Sequence, residues 1–243
     1  MKCKFGFGAW RLFLAMLVAM SHLWAGMLPG PAAYAVWGFF VLSGYLMTYV
    51  LQTKYGFSAG GIQRYARNRM LRIYPGFWVA CLAGALVLFW LETQGIDARK
   101  LNPSFGMPNG WLEWGFVTTL LPAFPRWNAP VPVANALSVE IGYYILVVLL
   151  AQQRTTAWFA LVFGSLVALN FGISTASFAD RYALFLPAAP AFALGSLLCH
   201  YKNELRRIQR PALSMACWIL HSGAIAVNTT WPWTYGLYFV SAL

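Results

Sequence analysis

The stretch Trp10-Arg-Leu-Phe-Leu-Ala-Met-Leu-Val-Ala-Met-Ser-His-Leu-Trp-Ala-Gly-Met-Leu28 decides how the chain is to be read. As a helix it is long enough to cross the roughly 30 Å hydrocarbon core of a bilayer. Its two ionisable residues, Arg11 and His22, would each cost several kcal/mol if they faced lipid, so they are functional candidates by default. A helix turns about 100° and rises about 1.5 Å per residue, which brings the two side chains to within about 20° of one face and about 16 Å apart in depth. They are expected to look into one interior cleft at different levels. A basic start before an apolar run also fits a secretory signal peptide. The run continues past Leu23-Trp-Ala-Gly26 with only a weak cleavage match, and another apolar run follows at once, so a retained first helix is expected.

The rest of the chain has the same character. It is 60% hydrophobic and only 9% charged over 243 residues, with 12 Trp, far from the balance of a soluble domain. Apolar runs of spanning length lie near 10–28, 33–52, 74–92, 135–151, 156–173, 182–199 and 211–227, and an eighth opens near Trp231. The expected fold is an all-α polytopic membrane protein, a bundle of about eight transmembrane helices. No repeat or linker divides the chain, so residues 1–243 read as a single domain that stops inside its eighth span. Cys3, Cys81, Cys199 and Cys217 have no metal-type spacing, and three of them lie in or beside apolar runs, so neither a metal site nor a disulfide framework is expected.

Charge sets the orientation, because basic residues concentrate in cytoplasmic loops. With the N-terminus inside, the inner loops hold Lys2, Lys4, Lys54, Arg64, Arg67, Arg69, Arg72, Arg154, Lys202, Arg206, Arg207 and Arg210 against Glu204. The outer loops hold Arg99, Lys100, Arg126 and Arg181 against Glu92, Asp97, Glu113 and Asp180, and Arg11 and Glu140 cancel within spans. The whole formal charge of +11 then falls on the inner side. This holds only if residues 111–124 do not cross. That stretch is short and carries Glu113, so it reads as an interfacial or re-entrant piece of a long outer loop, with Trp111, Trp114 and Trp127 suited to the headgroup level.

Under this topology His22 and Glu140 both fall in the outer half of the membrane, where a carboxylate could hold an imidazole N–H and raise its basicity. Hydrogen bonds to neighbouring helices are the alternative use of both groups. On the inner side, Arg64-Tyr-Ala-Arg67-Asn-Arg69-Met-Leu-Arg72-Ile-Tyr-Pro75 repeats arginine at three-residue spacing, so one helical face could offer several guanidinium forks to a phosphate-bearing ligand. Ordinary inner-loop basicity and contact with anionic lipid explain the same charges, although arginine throughout the run favours bidentate phosphate contact over lysine. Pro75 fits the first turn of the next helix. The glycines of Gly38-Phe-Phe-Val-Leu-Ser43-Gly44-Tyr-Leu suit close helix packing. His221 is a further buried ionisable candidate without an identifiable partner, and His200 reads as part of an ordinary basic inner loop.

Taken together, Arg11 and His22 in the first span, Gly38-Phe-Phe-Val-Leu-Ser-Gly-Tyr-Leu in the second, Arg69-Met-Leu-Arg72-Ile-Tyr-Pro before the third, and Ala136-Leu-Ser-Val-Glu140 resemble the acyltransferase-3 family of bacterial integral membrane acyltransferases. The resemblance implies transfer of an acyl group, usually acetyl, from a cytoplasmic acyl-CoA to a hydroxyl of a cell-surface or exported glycan such as O-antigen or exopolysaccharide. It implies a multi-pass protein of the bacterial cytoplasmic (inner) membrane, with acyl-CoA as donor substrate rather than a resident cofactor, and with the glycan acceptor and membrane lipid as partners. By the same analogy His22 is the base or acyl-transfer residue, with Arg11 its basic partner and Glu140 the acidic position. Arg69 and Arg72, joined by Arg67, hold the phosphates of CoA. Two other classes remain open on sequence: a transporter or lipid-linked glycan flippase, and a non-catalytic truncated relative. No nucleic-acid role is expected, because loop placement accounts for the positive charge.

Overall fold

A computed structural model describes residues 7–23, 29–100, 102–121, 128–174 and 184–205, with Ala216 and Ile219. Among these residues there is no strand, only an isolated bridge between Phe105 and Ala129. The helices are α1 (Phe7–Leu23), α2 (Pro29–Val50), α3 (Ala59–Thr93), α4 (Trp111–Thr119), α5 (Asn135–Gln152), α6 (Arg154–Ser174), α7 (Phe185–His200) and the short α8 (Lys202–Leu205). The protein is an all-α membrane protein, and helices stand at each of the first six expected spans. Among the described residues three stretches are long and apolar enough to cross a bilayer: Ala35–Tyr55, Ala59–Thr93 and Pro132–Gln152. The expected seventh span and the opening of the eighth lie outside the described residues apart from Ala216 and Ile219, and so does His221.

The chain forms two compact units, residues 1–54 with 146–243, and residues 55–145, so the boundary falls inside α5. In the first unit α2 packs against α1 and α7, and α7 packs against α6. The contact between α2 and α7 is made by glycine, as the second-span pattern predicts. A Cβ at Gly44 would land on the Phe192 carbonyl, and one at Gly195 would land on the Val41 carbonyl and the Tyr45 nitrogen. Where the backbones approach this closely only a missing side chain fits, and the gain is dispersion over a large shared surface. Phe40 stacks on Phe192 at 5.0 Å, and beyond them the buried Thr48 hydroxyl donates to Ser196 Oγ (2.9 Å), which donates to the Leu150 carbonyl (3.0 Å). At Gly38 the approach is looser and to a side chain, since a Cβ there would lie 3.2 Å from the Leu14 methyl groups of α1.

The second unit is built on α3, which is 35 residues long. At 1.5 Å per residue that is about 52 Å, well beyond what hydrocarbon requires. The helix begins earlier than its apolar run. Ser58 caps it by accepting from the Gly61 amide, so the arginine run lies on the helix itself and Pro75 lies inside it rather than at its start. The Ser58 cap starts the helix, and the many hydrogen bonds of a 35-residue helix outweigh the one that Pro75 removes. Helix α3 ends at Gly95, whose φ of 69° reverses the chain into the loop.

That loop returns along α3. Tyr74 Oη donates to the Thr119 carbonyl (2.5 Å) and Trp78 Nε1 to the Thr118 carbonyl (3.0 Å), satisfying the last carbonyls of α4 where it stops at left-handed Leu120. Tyr74 is nineteen residues from Thr93, so α4 reaches about 28 Å back from the C-terminal end of α3. Residues 111–119 therefore fold back along α3, and at about 13 Å they are too short to cross a bilayer. The chain then passes Gly84, where a Cβ would meet the Pro130 carbonyl, and starts α5 antiparallel to α3.

Candidate functional site

In the second unit the chain leading into α5 runs antiparallel to α3, with Pro130 against Gly84 and Tyr144 near Arg69, and this brings together two residues far apart in the sequence. On α3, Arg69 lies one turn after Tyr65, and on α5, Tyr144 lies one turn after Glu140, so each charged group shares a helix face with a tyrosine. The Arg69 guanidinium carbon sits 5.5 Å from the centre of the Tyr65 ring and 5.8 Å from that of the Tyr144 ring. Both separations are within the range in which a ring's negative face attracts a cation. The Tyr144 hydroxyl donates to Glu140 Oε1 at 3.1 Å. Tyr144 therefore touches both charges, with its ring under the guanidinium and its hydroxyl on the carboxylate.

The surroundings hold this arrangement firmly. Tyr65 is 1% exposed and packs edge-on against Tyr55 at 5.7 Å, and the Tyr55 hydroxyl accepts from Asn68 Nδ2 at 2.8 Å. Tyr144 is 7% exposed, whereas Arg69 and Glu140 are half-buried. Arg69 and Glu140 both act electrostatically on the two tyrosines. A cation and an anion in such surroundings offset part of each other's desolvation.

The other expected site residues are placed as follows. Arg64, Arg67 and Arg72 are exposed on α3, spread around the helix rather than drawn into the tyrosine nest with Arg69. Arg11 is half-buried on α1, and His22 occupies the last turn of the same helix, so the two share one helix as expected. The side chain of His22 lies outside the described residues. Glu140, which the sequence paired with His22, has Tyr144 as a hydrogen-bond donor.

Sequence reasoning missed Tyr65 and Tyr144. The available signal was the four-residue spacing Tyr65 to Arg69 and Glu140 to Tyr144, which sets a ring beside a charge on a helix. It also missed a role for His200. In the first unit His200 Nε2 lies 2.9 Å from the Leu150 carbonyl, and its Nδ1 lies 3.2 Å from Gln52 Nε2, which also donates to the Ala151 carbonyl (3.2 Å). The Leu150 carbonyl can only accept, so Nε2 carries the hydrogen and Nδ1 accepts from Gln52. Gln52 belongs to a π turn, Leu51–Tyr55, that extends α2 and widens its end enough to deliver the amide. His200 thus ties α7 to the last carbonyls of α5 rather than serving as loop charge. Beside it, Arg154 lies over Tyr201 (5.0 Å) and Lys202 over Tyr49 (5.0 Å), the aromatic and basic pairing common at a membrane interface.

Comparison with known proteins adds an independent line. A family model described as an acyltransferase domain matches residues 5–243. An uncharacterized protein of Haemophilus influenzae is 27% identical over 190 residues, which cover 70% of this chain and 76% of that protein. No solved structure matches the chain.

Proposed function

Because the chain belongs to the acyltransferase-3 family and is a membrane acyltransferase, we propose that it moves an acyl group, acetyl in the simplest case, from acyl-CoA to a hydroxyl of a cell-surface or exported glycan. The observation that carries this reading is the Arg69, Tyr65, Tyr144 and Glu140 nest on a helix that also presents Arg67 and Arg72. A guanidinium held between two tyrosine rings, with the exposed Arg72 about 60° away on the same side of the helix, suits a polyanionic donor such as CoA.

In this reading His22 takes the proton of the acceptor hydroxyl, whose oxygen attacks the thioester carbonyl carbon. The carbon–sulfur bond then breaks, and CoA leaves as a thiolate that takes up a proton. Arg11 steadies the thioester end. Arg69, Arg72 and Arg67 hold the CoA phosphates, and Glu140, through Tyr144, keeps Arg69 in register. The protein sits in the bacterial inner membrane with its N-terminus inside, which the loop charges support. Complementation tests the reading. Expressed in a host lacking its own surface-glycan acetylation, the chain restores O-acetyl groups measured by mass spectrometry, and the His22→Ala and Arg72→Ala variants do not. Wild-type acetylation in both variants would refute the mechanism.

A further inference from the structure

The Tyr65 hydroxyl is the least explained polar group in the nest. The residue is 1% exposed, and its hydroxyl meets no partner of ordinary hydrogen-bond geometry; the Arg69 guanidinium, which can only donate, lies close enough to bond loosely to the hydroxyl oxygen, so the hydrogen of the O–H is what remains without an acceptor. A buried donor left in this state carries its full desolvation cost, and native structures rarely keep such a group without a use. Its environment narrows the use. Arg69 stands over the ring, a carboxylate is already supplied with a donor by Tyr144, and the neighbouring Tyr55 hydroxyl is engaged by Asn68. The nest therefore offers an O–H donor beside a guanidinium, a pair that binds an oxygen carrying negative or developing negative charge.

Resting on the acyl-CoA reading, we infer that Tyr65 Oη and the Arg69 guanidinium together bind one acceptor oxygen of the acyl donor, with Tyr65 donating the hydrogen bond that the ligand-free protein leaves unmade. Two oxygens of the donor have this chemistry, a CoA phosphate oxygen and the thioester carbonyl oxygen. At a phosphate the bond contributes to binding alone. At the carbonyl it strengthens as the acceptor hydroxyl attacks, because the π electrons of the C=O bond move onto that oxygen, and the tyrosine keeps its proton throughout.

The test is Tyr65→Phe in the full-length detergent-solubilised protein, measured in two ways. Without donor, thermal unfolding of the variant is expected near the wild-type temperature or above it, because the change removes a buried O–H whose hydrogen has no acceptor and which meets Arg69 only outside ordinary hydrogen-bond geometry. Affinity for acetyl-CoA, or kcat/KM where the carbonyl is the target, is expected to fall about tenfold or more, the effect of one hydrogen bond to a charged or charging oxygen. Free CoA and S-acetylpantetheine separate the two oxygens. Equal loss with free CoA assigns the bond to a phosphate, whereas loss confined to the two thioesters assigns it to the carbonyl. The inference is overturned if Tyr65→Phe binds all three compounds and turns over the two thioesters like the wild type, or if it unfolds earlier with unchanged affinity for all three, as a merely structural hydroxyl would. A wild-type protein that binds none of the three removes the acyl-CoA reading, and the inference falls with it.

Discussion

Replacing Gly44 by alanine adds one methyl group, which the structure places against the backbone of α7. The new Cβ would lie 3.0 Å from the Phe192 carbonyl carbon and closer still to its oxygen, and neither atom is the end of a flexible side chain. The two helices must part by something near 1 Å to admit it. Overpacking of this kind costs about 1–3 kcal/mol. The same movement would stretch the Thr48 to Ser196 hydrogen bond, now 2.9 Å, beyond useful length, at about 0.6–1 kcal/mol within a membrane. The expected destabilisation is thus about 2–4 kcal/mol. At about 2–4 °C per kcal/mol for a chain of this size, the unfolding temperature should fall by several degrees or more. Gly76 of α3 is the matched control, since a Cβ there meets nothing within 4 Å. Alanine at that position should raise helix stability by about 0.5–1 kcal/mol. Thermal unfolding of both variants in one detergent reads the difference directly. If Gly44→Ala is as stable as the wild type, the close backbone contact between α2 and α7 is not as described.

The nest yields two further predictions. Tyr144→Phe keeps the ring beneath Arg69 but deletes the donor to Glu140, so kcat/KM for acyl transfer should fall about tenfold, near 1.4 kcal/mol, with little change in unfolding temperature; unchanged kinetics would show that the hydroxyl does nothing for the reaction. Arg69→Lys retains the charge but loses the planar fork, so donor KM should rise about tenfold or more, and lysine restoring wild-type KM in a titration against acetyl-CoA would contradict the forked-contact assignment.

What the sequence could show follows from the physics of each signal. Long apolar runs must be helices in a bilayer, so α1, α2, α5, α6 and α7 were legible from hydropathy. The short, non-crossing α4 was legible from Glu113 and from charge balance, but its place along α3 was not, because that is set by the side-chain caps from Tyr74 and Trp78 on another helix. Helix α3 showed why hydropathy misplaces boundaries. Its first turns are polar, and its helicity there comes from the Ser58 cap and from packing, so the arginines appeared to precede the helix that carries them. The charged members of the nest, Arg69 and Glu140, stood out as ionisable groups near apolar runs. Tyr65 and Tyr144 did not, since tyrosine is common in such runs and only tertiary placement sets these two apart. His200 looked like loop charge because its partners are backbone carbonyls, which carry no sequence signal.

Transfer of an acyl group from a CoA thioester to a glycan hydroxyl is a single step that an isotope label measures directly. Membrane vesicles containing the protein and its acceptor glycan are given acetyl-CoA labelled with carbon-13 in the acetyl group, and the glycan is analysed by mass spectrometry. Labelled, alkali-labile O-acetyl esters are expected with the wild-type chain and none with His22→Ala. Equal labelling by His22→Ala, or no label on the glycan from a wild-type chain that binds acetyl-CoA, would contradict this mechanism.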